Sequence, residues 1–127
     1  MNVNDLLQKK ILEKALHDHK KSNYKSAEKL YKKVLKKNPN NINAIILLGA
    51  LLAQLKKLEE AKKLFQKAIS INPENKNAHY NLGLVYKEKN EHRKAVSCYM
   101  QAIKIDPNYV KAQNNLGIIF YELGEYE

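Results

Sequence analysis

The chain has 127 residues, the length of one average domain, with 23 Lys+Arg against 13 Asp+Glu and a formal net charge of +10. One cysteine excludes an internal disulfide and leaves the redox compartment open, with a reducing, cytoplasmic one the default expectation; no run of about 18 apolar residues offers a membrane span, and Met1 to Asp5 lack a leader's basic and apolar regions. Four Gly and three Pro are too few for a many-turned β chain, while abundant Lys, Leu, Ala and Glu favour helix, so the expected fold is all-α.

The prolines fall at Pro39, Pro73 and Pro107 and three glycines at Gly49, Gly83 and Gly117, both at one and the same constant interval. A fixed period marks a repeat array, with units at 8–41, 42–75 and 76–109 and a partial fourth at 110–127 in one domain spanning 1–127. The first unit supplies Ala27, Leu30, Tyr31 and Val34 as an apolar stripe, though Lys14 and Ala15 stand where Leu and Gly stand later. In the second unit Ile45, Leu48, Gly49 and Leu52, then Ala61, Leu64, Phe65 and Ala68, recur at i, i+3, i+4, i+7, which predicts two amphipathic helices per unit. The third repeats this with Leu82, Gly83 and Tyr86, then Ala95, Cys98, Tyr99 and Ala102; the fourth carries Leu116, Gly117 and Phe120, and Gly124 to Glu127 begins a turn toward another helix. Each unit closes on Asn-Pro or Asp-Pro, because the residue before proline is pushed out of the α region. The small residues, Gly49, Gly83 and Gly117 among them, are expected to let neighbouring helices approach closely.

These segments resemble the tetratricopeptide repeat (TPR) family, whose unit has this same period. The stretch Ala78-His79-Tyr80-Asn81-Leu82-Gly83-Leu84-Val85-Tyr86 and the stretch Lys94 to Ile103 through Asp106-Pro107 match its pattern at Leu, Gly, Tyr, Ala, Tyr, Ala and Pro. The resemblance implies a helix-turn-helix repeat solenoid, a right-handed superhelix of about seven antiparallel helices whose first helices line a concave groove. It also implies recognition of a partner segment in that groove, at Asn43, Ile46, Leu47 and Ala50 of the second unit, Asn77, Tyr80, Asn81 and Leu84 of the third, and Lys111, Asn114, Asn115 and Ile118 of the fourth. Asn81 and Asn115, one period apart, look like the asparagine ladder in the TPR arm of protein O-glycosyltransferases, since an amide can grip a peptide backbone of any sequence. Leu47 and Glu13 fill the equivalent earlier places, so the ladder covers two units. The family's basic clamp for chaperone C-termini is not matched, because Leu12, Leu16, Asn77 and Asn81 stand where it needs Lys, Asn and Arg.

Catalytic patterns are missing: no Gly-rich phosphate loop, His-Glu-x-x-His, Cys-x-x-Cys or Gly-x-Ser-x-Gly occurs. Cys98 aligns with Leu30 and Leu64 and is expected to be a buried, inert thiol. His79 aligns with Ile11 and Ile45, which predicts packing; His92 near a helix start predicts partial burial; His17 and His19 lie about 200° apart on a helix and cannot share a metal. A non-catalytic scaffold without cofactor or metal is the reading, with a substrate-recruiting arm of a larger, glycosyltransferase-like enzyme as the alternative.

The charge is concentrated at residues 1–41, which sum to +7, with Lys25, Lys29, Lys32, Lys33, Lys36 and Lys37 opposite the Ala27/Tyr31 stripe. Such a face attracts nucleic acid, anionic lipid or acidic protein, but 22 Lys against one Arg argues against nucleic acid as the partner, and compositional bias explains much of the excess. The apolar last helix, with Ile118, Ile119, Phe120, Tyr121 and Leu123, allows end-to-end self-association.

Overall fold

The computed structural model describes residues 2–124, and the start of the turn expected at 125–127 lies outside them. Seven helices and no strand occur among the described residues: α1 (Val3–Lys20), α2 (Tyr24–Lys37), α3 (Ile42–Gln54), α4 (Leu58–Ile71), α5 (Lys76–Glu88), α6 (His92–Ile105) and α7 (Val110–Glu122). The chain forms two compact units that divide between Leu64 and Phe65, inside α4. In the first, α1 packs on α2 and α2 on α3; in the second, α5 packs on α6 and α6 on α7.

Within a repeat the two helices are joined by one turn, copied at each occurrence. Ser22, Lys56, Asn90 and Gly124 adopt φ of 65°, 66°, 62° and 77°, again spaced by the repeat period. Asn23 N–H reaches Asp18 O at 2.8 Å and Ser22 N–H reaches His19 O at 3.0 Å; Lys57 to Leu52 and Glu91 to Tyr86 repeat the longer-range bond at 2.8 and 2.9 Å. These paired bonds satisfy the last carbonyls of the helix and require the left-handed residue between them. Only one of the four is glycine.

Between repeats the turn is built by the proline and the residue before it. Asn41 N–H bonds Asn38 O, Asn75 bonds Asn72, and Tyr109 bonds Asp106, at 3.1, 3.1 and 3.0 Å. The side chains of Asn38, Asn72 and Asp106 accept from the N–H two residues on, at 3.3, 3.1 and 3.1 Å. Asn41 and Asn75 then cap α3 and α5 by accepting from Ala44 and Ala78 at 3.1 and 3.0 Å. Helix α1 begins ahead of the repeat register, with Asn2 accepting from Asp5 N–H at 2.8 Å, and its 18 residues outrun the 14 of α2.

The first unit buries Ala15, Ala27, Tyr31, Val34, Ala44, Ile45, Leu48, Leu51, Leu52 and Ala61. Where the second and third repeats carry Leu52 and Tyr86, α1 instead buries Asp18. Ser26 Oγ donates to its Oδ2 at 2.6 Å and Lys14 Nζ to its Oδ1 at 3.0 Å, so both carboxylate oxygens are met and the substitution is tolerated. These two hydrogen bonds, Ser26 first, hold Asp18 below the usual carboxylate range. His19 ties the same unit together: its Nδ1 lies 3.2 Å from the Tyr31 hydroxyl and its Nε2 2.8 Å from Gln54 Oε1. Gln54 Oε1 can only accept, so Nε2 carries the proton and Nδ1 accepts from Tyr31.

The second unit centres on Ala95, Tyr99, Ala102, Ala112 and Ile119, flanked by Tyr80, Leu84, Tyr86, Val96, Ile103, Tyr109 and Leu116. Gly83 does permit the close approach expected of it, against the Tyr99 ring. Gly117 does not: a Cβ there would meet nothing within 4 Å.

Candidate functional site

Asn77, Tyr80, Asn81 and Leu84 occupy i, i+3, i+4 and i+7 of α5, and Lys111, Asn114, Asn115 and Ile118 the same places on α7, so each quartet shares one helical face. All eight belong to the second unit, and hydrogen bonds connect the two faces. Asn115 Nδ2 donates to the Tyr80 hydroxyl at 3.2 Å and to Lys111 O on its own helix at 3.0 Å. Asn81 Nδ2 donates to Asn77 O at 2.8 Å. Each amide therefore leans back on the carbonyl four residues earlier, an orientation fixed because a carbonyl accepts only from the NH2 side. The consequence is chemical: Asn115 has spent both amide hydrogens and offers Oδ1, while Asn81 offers Oδ1 and one N–H.

Asn77, Lys111, Asn114 and Ile118 are exposed or nearly so, and Tyr80, Asn81 and Asn115 are half-buried. Leu84 is also half-buried and packs on the Tyr99 cluster, which makes it a support for the face. Asn43 belongs to the first unit, exposed near the start of α3.

The residue that sequence reasoning passed over is Tyr109. Its position is the third in the series Asn41, Asn75, Tyr109, and unlike the two asparagines it makes no side-chain cap. Instead its hydroxyl donates to Asn77 Oδ1 at 2.8 Å, and its ring lies 5.3 Å from that of Tyr80 at 46°. Lys76 Nζ sits 5.1 Å from the Tyr109 ring centre and pairs with Asp106 Oδ2 at 2.5 Å. The Lys76 hydrogen bond, then that from Asn108 N–H, holds the Asp106 carboxyl below its ordinary range, while burial pushes the Tyr80 and Tyr109 phenols up. The break in the Asn series was the signal. It trades a helix cap for a side chain that reaches across to α5.

The remaining candidates resolve individually. His79, expected to pack, uses Nε2 to contact Pro73 O at 2.8 Å; Gln113, one period on, donates to Pro107 O at 2.6 Å, so this place is a polar clasp on the proline turn. Cys98 is half-buried, and burial pushes its thiol up to about 11, so it stays protonated at neutral pH. His92 is half-buried, with Nδ1 enclosed and unpartnered. Among the described residues no three His, Cys, Asp or Glu gather as a metal site, and no helix is long and apolar enough to cross a membrane. A shallow depression of about 480 Å³ on α6, lined by Arg93, Val96, Ser97, Met100, Gln101 and Lys104, includes none of the site residues.

Paired helices copied at a fixed period, with Asn-bearing faces on α5 and α7, define a helical repeat protein. The chain belongs to the tetratricopeptide repeat family: the family described as "Psidin, N-terminal TPR repeats region" matches residues 14–127. Comparison with curated protein sequences gives no significant match. Among solved structures, O-GlcNAc transferase from Thermobaculum terrenum (a point variant) is similar at TM-score 0.89 and 23% identity, over 94% of this chain and 23% of that one. The chain therefore spans less than a quarter of the transferase. The first TPR of Spaghetti (RPAP3) bound to the HSP90 peptide SRMEEVD is similar at TM-score 0.87 and 22% identity, over 92% of this chain and 93% of that one. The Arabidopsis OM64 TPR domain follows at 0.88 and 18%, over 94% and 98%.

Proposed function

We propose that this chain is a non-catalytic interaction module that holds a segment of a partner protein on the α5/α7 face, with Asn77, Tyr80, Asn81, Lys111, Asn114, Asn115 and Ile118 as contacts. The observation that carries the reading is the matched tether of Asn81 and Asn115, each pinned by its own helix with Oδ1 left over. Side chains fixed before binding lose little entropy when a partner arrives, and an outward oxygen accepts a backbone N–H whatever the residue. A similar TPR domain carries a bound peptide, which supports a protein partner here.

A peptide display library panned on the chain supplies the test. Selected peptides should bind the Asn81→Ala/Asn115→Ala variant at least tenfold more weakly, about 1.4 kcal/mol for two lost hydrogen bonds. Tyr109→Phe, which frees Asn77 without removing the ring, should alter affinity by a few-fold. Unchanged binding in the double variant would remove the face from the mechanism.

The second reading, a recruiting arm of a larger glycosyltransferase-like enzyme, draws on the fit to 23% of the transferase chain. Reading the coding sequence past Glu127 tests it, and a stop codon there ends it.

A further inference from the structure

Helix α2 presents Lys25, Lys29, Lys32, Lys33, Lys36 and Lys37 to solvent, and every one of them is exposed or nearly so. At about 100° per residue they fall within an arc of about 140°, and at about 1.5 Å per residue they spread along about 18 Å. The opposite side, with Ala27, Tyr31 and Val34, is buried. The one carboxylate at the margin, Glu28, is taken by Lys32 at 2.7 Å. Lys25, Lys29, Lys33, Lys36 and Lys37 have no carboxylate partner among the described residues. The row is a strip of positive charge neutralised at Lys32 and carrying five lysines without a carboxylate partner.

A second observation comes from α1. It is longer than α2, 18 residues against 14, and antiparallel to it in a tight hairpin, so its first turn stands past the last turn of α2. That turn exposes Val3, Leu6 and Leu7 at 80%, 48% and 55%. Lys10 and Lys14 follow Val3 and Leu7 on the same helical row, at i+7 and i+11 from Val3; Lys14 is paired with Asp18, and Lys10 is a basic group directly behind the apolar tip. The tip lies outside the family match, which begins at residue 14.

We infer that the first unit docks on the surface of an anionic lipid bilayer, the α2 lysines against headgroups and Val3, Leu6 and Leu7 at the acyl boundary. Two weak signals of this kind, a polybasic strip and a small apolar insert, together give reversible surface binding where either alone is marginal. Each lysine near an anionic surface is worth about a fivefold gain in partitioning, with strong salt dependence. Lipid fits better than nucleic acid. The strip has no Arg for bidentate phosphate contacts and no exposed aromatic for base stacking, and three bare apolar side chains gain from an acyl boundary but not from a nucleic-acid backbone.

The probe is co-sedimentation of the full chain with vesicles of phosphatidylcholine alone or with phosphatidylserine added. Binding should require phosphatidylserine and fade with salt. Lys29→Gln/Lys33→Gln/Lys36→Gln should lower partitioning by about a hundredfold with helicity unchanged, since all three side chains face solvent. Leu6→Ser/Leu7→Ser should lower it by about tenfold and leave only salt-sensitive binding. The idea is overturned by absence of binding at low salt, by a lysine variant that binds as the parent does, or by tighter binding to bare DNA or RNA than to vesicles in the same buffer. The groove variant Asn81→Ala/Asn115→Ala should bind vesicles normally, so the two readings fail separately.

Discussion

A methyl group on Gly83 would stand 2.6 Å from Cε1 and 2.8 Å from Cδ1 of Tyr99, inside the contact distance of any carbon pair. Tyr99 is fully buried, so its ring has nowhere to retreat. Gly83→Ala should therefore destabilise by about 1–3 kcal/mol despite the better helix propensity of alanine. Gly117→Ala, with nothing within 4 Å, should stabilise by about 0.5–1 kcal/mol. Urea denaturation of the two variants measures opposite signs at positions one repeat apart, and equal signs would contradict the packing argument.

The left-handed turn residues differ in chemistry while sharing one backbone shape. Ser22 at φ 65° carries a steric cost that Gly124 at 77° does not. Ser22→Gly should stabilise the chain by about 0.5–1 kcal/mol, and Asn90→Gly by less because asparagine tolerates this region. Thermal unfolding of both variants tests the ranking.

Asp18 links stability to acid. Its folded pKa lies below the ordinary carboxylate value, chiefly through Ser26 and then Lys14. The sign follows: the stabilisation is present above the unfolded carboxylate value and is lost as pH falls through the depressed folded one. Ser26→Ala should destabilise at pH 7, and its deficit should close as pH drops below about 4. An NMR titration of Asp18 should move upward in the same variant. A deficit independent of pH would mean that the hydroxyl acts by packing alone.

Cys98 should be slow to alkylate. With its thiol at about 11, the thiolate fraction at pH 8 is small, and iodoacetamide should react on the order of a hundredfold more slowly than with an ordinary free thiol. Denaturation should abolish the difference; a native rate matching glutathione would show an open, activated thiol.

Much of the fold is legible because the period is carried by backbone-defining residues. Pro39, Pro73 and Pro107 set the inter-repeat turns, and the apolar stripes place the helices that bury Tyr31, Phe65 and Tyr99. What escaped the pattern obeys longer-range rules. Asp18 reads as a break in a core stripe until Ser26, further along the chain on α2, supplies its partner. The early start of α1, ahead of its repeat boundary, rests on a single cap at Asn2. In the candidate site, the quartets on α5 and α7 follow from register, whereas the bond from Tyr109 to Asn77 joins distant parts of the chain and depends on how the helices meet. Gly117 illustrates the reverse, a motif residue in the same register as Gly83 that meets no close neighbour.

The double donation by Asn115, to Tyr80 and to the Lys111 carbonyl, has a final consequence for what this face can read. A free amide adapts to either polarity of a passing backbone, but this one has been made single-handed. On the proposed reading it would accept only from a strand that brings a hydrogen to that spot, so a proline or N-methylated residue facing it would make no bond there. Discrimination at Asn115 would then fall on the substitution of a nitrogen, with the side chains of the partner left free to vary.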